Sequence, residues 1–168
     1  MNSKRSVLFG WILVFGGAFG APAILGQSVG TLIQRQAEAE LQALHQEERR
    51  AHLHHDVNGL LSHLGTDLID VREGKIQVMT SKEVRERFNE YFRTAQFIAW
   101  DDVQPPVVRA SPDGRLGWMI VRVHIAYNET NASGKTTSND SILAWMAAYE
   151  KREGKWMMIA VTTTTQQP

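Results

Sequence analysis

The chain has no cysteine among its 168 residues. That absence removes disulfide staples, a thiol nucleophile and any thiolate metal site at once, so stability has to come from packing. It argues against a small eukaryotic extracellular module, which relies on such staples, and suits a bacterial periplasm or exterior. Charge of one sign is also missing: 18 Lys and Arg balance 18 Asp and Glu, for a formal net charge of +0. Without a long-range field or a basic stripe interleaved with aromatics, nucleic acid is not an expected partner. No internal repeat is present, and the only biased tract is the short Thr162 to Thr165 run. What is there is 43% hydrophobic residues, in a length that suits one globular domain with an adequate core.

The first residues form a separate unit. Lys4 and Arg5 make a positive n-region, residues 7–19 are uncharged and apolar, and Ala21-Pro22-Ala23 offers an Ala-x-Ala pattern. The expectation is a secretory signal over residues 1–26, cut near Ala23 or Gly26, followed by one domain over residues 27–168. The protein is then exported, periplasmic or secreted. An uncleaved membrane anchor is the alternative, since residues 7–25 carry no charge and approach a spanning length.

After the leader the hydrophobic period changes partway along. Residues 31–93 carry apolar side chains at helical spacing, whereas residues 95–165 read as long alternating strands joined by short polar turns. Leu41, Leu44, Glu48, Ala51, His52 and His55 share one face of a first helix, a stripe that begins apolar and turns polar. Asp56 is the expected N-cap of a second, short helix carrying Val57, Leu60, Leu61 and Leu64, with Gly65 as its stop. A small hairpin turns at Glu73-Gly74-Lys75. Thr80-Ser81-Lys82-Glu83 is then a capping box opening a third helix with Val84, Phe88, Tyr91 and Phe92 on its apolar face. In the sheet region Met119, Val121, Val123, Ile125 and Tyr127 alternate onto one face. The following strand is apolar on both faces through Leu143, Trp145, Ala147 and Ile142, Ala144, Met146. One face has to cover the helices. The other is too apolar for free solvent, and packing against a second copy of the chain is expected there.

Residues 51–61 (AHLHHDVNGLL), 80–92 (TSKEVRERFNEYF), 111–117 (SPDGRLG) and 149–157 (YEKREGKWM), in this order and spacing, resemble the nuclear transport factor 2-like superfamily. Within it the chain is most similar to the SnoaL-like and ketosteroid-isomerase-like single-domain proteins, over about residues 34–165. The resemblance implies an α+β, cone-shaped fold in which three N-terminal helices pack on a strongly curved antiparallel sheet. It also implies a mostly apolar pocket between the two layers and frequent dimerisation through the outer sheet face. It does not carry a reaction with it. The isomerases use a carboxylate just after the first short strand, a Tyr on the first helix and a second acid in the sheet. Counted from Asp56, those positions fall at about Arg72, at about Glu48 and near Ala147 to Ala148.

Glu48 and His52, one helical turn apart, are the candidate acid/base pair for any chemistry; the alternative is an ordinary helix-stabilising surface pair. Tyr91, Tyr127, Trp145 and Trp100 are the candidate ligand-binding wall, although large aromatics also suit half-buried strands as plain core. Five of the six histidines fall between His45 and His63, and Glu48, His52 and His55 share a face. No HExxH-type motif accompanies them, so neither a metal nor another cofactor is expected. Three Asn-x-Ser/Thr triplets between Asn128 and Ser141 follow from the composition of a polar hairpin loop. Three functions stay open: an exported domain binding a small apolar or amphipathic molecule without turnover, a cofactor-free isomerase, cyclase or dehydratase, and a structural or partner-binding dimeric domain.

Overall fold

The computed structural model describes the backbone of residues 21–166 and the side chains of residues 29–166. Most of the expected leader over residues 1–26 lies outside the described residues. Its last residues open the first described element, α1 (Ala21–Leu53). Among the described residues no helix is long and apolar enough to cross a membrane.

Along α1 the spacing of Ala37, Leu41 and Leu44 puts all three, buried, on the face that meets the sheet. The helix closes where the Asp56 and His54 amides return to the carbonyls of Ala51 and Arg50, at 2.8 and 3.0 Å. Asp56 then caps α2 (Val57–Leu61), its carboxylate accepting from the Gly59 amide at 2.9 Å, as its position predicts. Gly65 does not end that helix. The C-cap is Ser62, and Gly65 sits in β1 (Leu64–Arg72), where an added Cβ would lie 3.2 Å from the Met158 carbonyl oxygen. The glycine is there because two backbones approach closely, a reason that its local sequence does not reveal.

β1 and β2 (Lys75–Thr80) form an antiparallel hairpin, turned by Glu73 and Gly74 at positive φ. The capping box that opens α3 (Ser81–Thr94) is complete: Thr80 N donates to Glu83 Oε2 at 2.7 Å, and Glu83 N donates to Thr80 Oγ1 at 3.3 Å. The remaining strands are β3 (Ala95–Asp102), β4 (Val107–Ala110), β5 (Leu116–Thr130), β6 (Thr136–Arg152) and β7 (Lys155–Gln166). The sheet order is β2-β1-β7-β6-β5-β3, with β4 also pairing β5.

All neighbours are antiparallel except β1 and β7, which run parallel. The expected all-antiparallel sheet is therefore mixed at one place. The chain between β1 and β7 includes α3 and all the other strands, so no tight turn dictates their relative direction. Bulges interrupt the ladders at Phe97/Ala99 and Ala148/Tyr149, where strands twist more strongly.

The parity of β5 holds: Met119, Val121, Val123 and Ile125 are buried under the helices. In register beside them on β6 stand Ala147, Trp145, Leu143 and Ser141. The opposite face keeps Ile69, Ile76, Val78, Ile120 and Met146 exposed among the described residues.

Candidate functional site

The helical layer does not fill the inner face of the sheet. Toward the carboxyl end of α1, a hollow of about 1080 Å³ lies between α1, α3 and the sheet, at the upper end of the scale of ligand clefts. Its floor is made by Glu48 and His52, where the α1 stripe turns polar. The same helix carries both because residues four apart lie one above the other on one face.

His52 is held by ring contacts and one backbone hydrogen bond, and its remaining side faces the hollow. Its ring stacks on Trp100 with centroids 3.9 Å apart and meets the edges of Phe88, Phe92 and Phe97. Its Nδ1 lies 2.8 Å from the Glu48 carbonyl oxygen. A carbonyl only accepts, so Nδ1 carries the proton and Nε2 of the neutral ring is a bare acceptor. Burial, with the nearby His45 adding to it and the carbonyl bond opposing it, pulls the imidazole down to about 4. Glu48 shifts the opposite way. Burial, with the neighbouring Glu47 charge adding to it, pushes its carboxyl up to about 8. At neutral pH the floor therefore holds an uncharged carboxylic acid beside an uncharged imidazole.

The four aromatic wall residues named from the sequence, Tyr91, Tyr127, Trp145 and Trp100, all line the hollow. Tyr91 and Tyr127 meet edge to face at 5.7 Å, and Trp100 lies 6.5 Å from Trp145. Burial raises both tyrosines, so each hydroxyl keeps its proton. His55 is not brought to the floor: it sits at positive φ after α1, its ring stacked on Phe92 at 5.1 Å. Behind the floor, His45 is buried and its Nε2 lies 2.8 Å from Asp102 Oδ1, while Tyr149 is buried beside Glu48, and burial, with an ionised Glu48 adding to it, raises its hydroxyl.

One functional-looking group escaped the sequence reading. Asp70, on the same inward parity of β1 as Leu68, is only 5% exposed and lines the hollow. Arg87 of α3 and Arg72 converge on its Oδ2 at 3.3 and 3.6 Å, while Oδ1 has no partner among the described residues. Counted from Asp56, the isomerase carboxylate position falls at about Arg72, and the acid nearby is Asp70, two residues earlier on the strand. The signal was available: an acidic residue on the apolar parity of a strand is unusual unless something meets it. Asn139, Ser141, Thr163 and Thr165 complete a polar rim, set by the inward register of β6 and β7. Counted from Asp56, the isomerase Tyr position falls at about Glu48, and Ala147, near the counted second-acid position, is fully buried and has no polar group to offer.

No family model matches the chain, and no curated protein matches it. Solved structures do. A nuclear transport factor 2-like protein of unknown function in nutrient uptake from Rhodospirillum rubrum superimposes with a TM-score of 0.58 at 21% identity, over 73% of this chain and 95% of that one. A nuclear transport factor 2-like protein from Cytophaga hutchinsonii gives 0.61 at 14% identity, over 76% and 97%. A ketosteroid isomerase-like protein from Erwinia carotovora atroseptica gives 0.50 at 18% identity, over 78% and 97%. Three helices on a large, mostly antiparallel sheet, together with these likenesses, establish that the chain has the α+β cone fold of the nuclear transport factor 2-like superfamily.

Proposed function

We propose that this is an exported domain that binds a small, largely apolar molecule in the hollow between helices and sheet. The observation that carries the reading is the aromatic lining of that hollow at the point where α1 stops supplying apolar side chains to fill it. A ligand that binds only the folded state at a hundred times its Kd adds about 2.7 kcal/mol of stability. A thermal-shift screen of small apolar molecules is expected to find compounds that raise Tm by several degrees. A screen in which no such molecule shifts Tm would leave the interaction-domain reading in its place.

Export is supported by the positive, apolar and Ala-x-Ala pattern of residues 4–23, and mass spectrometry of the mature amino terminus tests it. Dimerisation through the outer sheet face is supported by the exposed Ile120 and Met146, paired across the neighbouring strands β5 and β6, and by exposed Ile69 on β1, on the same face beyond β7. Light scattering at micromolar concentration is expected to report a dimer.

A second reading is favoured by one observation. Glu48 is an acid that keeps its proton at pH 7, and His52 one turn away is an unprotonated base. Such a pair can move a proton within a bound substrate, as a cofactor-free isomerase, cyclase or dehydratase requires. Exchange of α-hydrogens of a bound ketone for solvent deuterium, lost in both His52→Ala and Glu48→Gln, would establish it. Binding without exchange would rule it out.

A further inference from the structure

Resting on the binding reading above, we infer that the floor of the hollow selects planar, uncharged molecules bearing a hydroxyl, of the phenol type, with the hydroxyl donating to His52 Nε2 and accepting from the Glu48 carboxyl.

The His52 ring cannot turn to offer a donor. Its Nδ1 is committed to the Glu48 carbonyl at 2.8 Å, and the ring is wedged between the Trp100 face and the edges of Phe88 and Phe97. Nε2 has no hydrogen-bond partner among the described residues and belongs to a ring that lines the hollow. It is thus a fixed acceptor facing the hollow with no donor from the described residues, and a ligand that brings a donor can pair with it. Glu48 and His52 are one turn apart on the same helix face, roughly 5–6 Å between Cβ atoms, and both line the hollow, so one ligand can meet both side chains. The depressed His52 and raised Glu48 titrations agree with this assignment, since both groups then stay neutral at pH 7.

Neutrality also defines what is rejected. A carboxylate placed here would meet a proton-free imidazole nitrogen and no cation at the floor, since Arg72 and Arg87 stand at the Asp70 side and are partly spent on it. Desolvating an unpaired anion is costly. The flat aromatic wall supplies the rest, favouring ring-shaped apolar bodies that stack or meet edge to face.

The test uses four probes of one shape on the intact protein by equilibrium dialysis: naphthalene, 2-naphthol, 2-methoxynaphthalene and 2-naphthoate. The expected result is that 2-naphthol binds about tenfold more tightly than naphthalene, the size of one well-made hydrogen bond. The methoxy compound, which lacks the donor, is expected to fall to the level of naphthalene, and naphthoate is expected to be weakest. In His52→Leu the ratio of naphthol to naphthalene affinity should collapse toward one, with circular dichroism confirming the fold. Equal binding of all four probes would overturn the inference and leave the apolar pocket standing. Tightest binding by naphthoate would overturn it as well, by showing a cationic floor. If none of the four binds, the inference and the pocket reading fall together.

Discussion

The two halves of the space under α1 are built from the same helix and the same sheet face, yet one is packed solid and the other is hollow. At the solid end Leu41 and Met119 are 0% exposed, and Trp156 is nearly as deep. Packing there is so tight that an added Cβ on Gly117 would lie 2.5 Å from Leu41 Cδ1. Glu40 closes this end, accepting from Lys151 Nζ at 2.5 Å and from Trp156 Nε1 at 2.9 Å, and the lysine bond holds its carboxyl below the usual range. At the other end the sheet still offers Leu143 and Trp145, but the helix answers with Glu48 and His52. Apolar groups on both sides collapse onto each other. When one side turns polar without partners, contact would bury those groups unsatisfied, and space is left instead.

The strongest way to break this comparison is to make the same substitution at both ends. Leu41→Ala is expected to cost about 3–5 kcal/mol, as in other fully buried sites. Leu143→Ala, whose side chain already faces a void, is expected to cost only about 1 kcal/mol. Urea denaturation measures both, and equal costs would mean that the two ends are packed alike.

The polar end should reveal itself next through pH. Glu48 ordinarily titrates at 4.5 and in the fold at about 8, so the unfolded chain releases its proton first and stability falls as pH rises from 4.5 to 8. His52 ordinarily titrates at 6.5 and in the fold at about 4, so stability is lost as pH falls from 6.5 to 4. The two slopes oppose each other between 4.5 and 6.5, and above that window only the Glu48 loss remains, about 2 kcal/mol by pH 8 at the limiting slope. The other titratable groups around them are Glu47 and His45 on α1, Tyr149 on β6, and Tyr91, Tyr127, Asp70, Arg72, Glu73, Arg87 and Asp140 across the hollow. Glu48→Gln should therefore abolish the alkaline decline seen in wild-type melting curves, and a decline that survives it would place the buried acid elsewhere.

Gly117→Ala sharpens the solid end at smaller scale. The new methyl has to displace Leu41, and the expected cost is about 1–2 kcal/mol, with no change in ligand binding. The smallest effect belongs to a site remote from both ends. Thr80→Ala breaks the capping box of α3 and is expected to cost about 1 kcal/mol in thermal denaturation.

Much of this was legible in advance, and for identifiable reasons. The Asp56 cap and the Thr80/Glu83 box were readable because capping depends on residues within one turn of each other. The inward face of β5 was readable because strand parity is a local alternation. The role of Gly65 was not, since it answers to a backbone many residues away; Asp70 stood out by its parity, but its partner Arg87 lies on another element and was not readable. The parallel pairing of β1 with β7 was hidden in the same way.

By itself the sequence determined the element order, the caps and the apolar faces, all of which depend on neighbours a few residues apart. Only the tertiary structure decided that the apolar stripe of α1 runs out above Leu143 and Trp145, so that a hollow opens over the pair at Glu48 and His52. Burial and a carbonyl one turn back then set the protonation of that pair. Those are properties of the environment, which a residue acquires from the whole fold and not from its place in the chain.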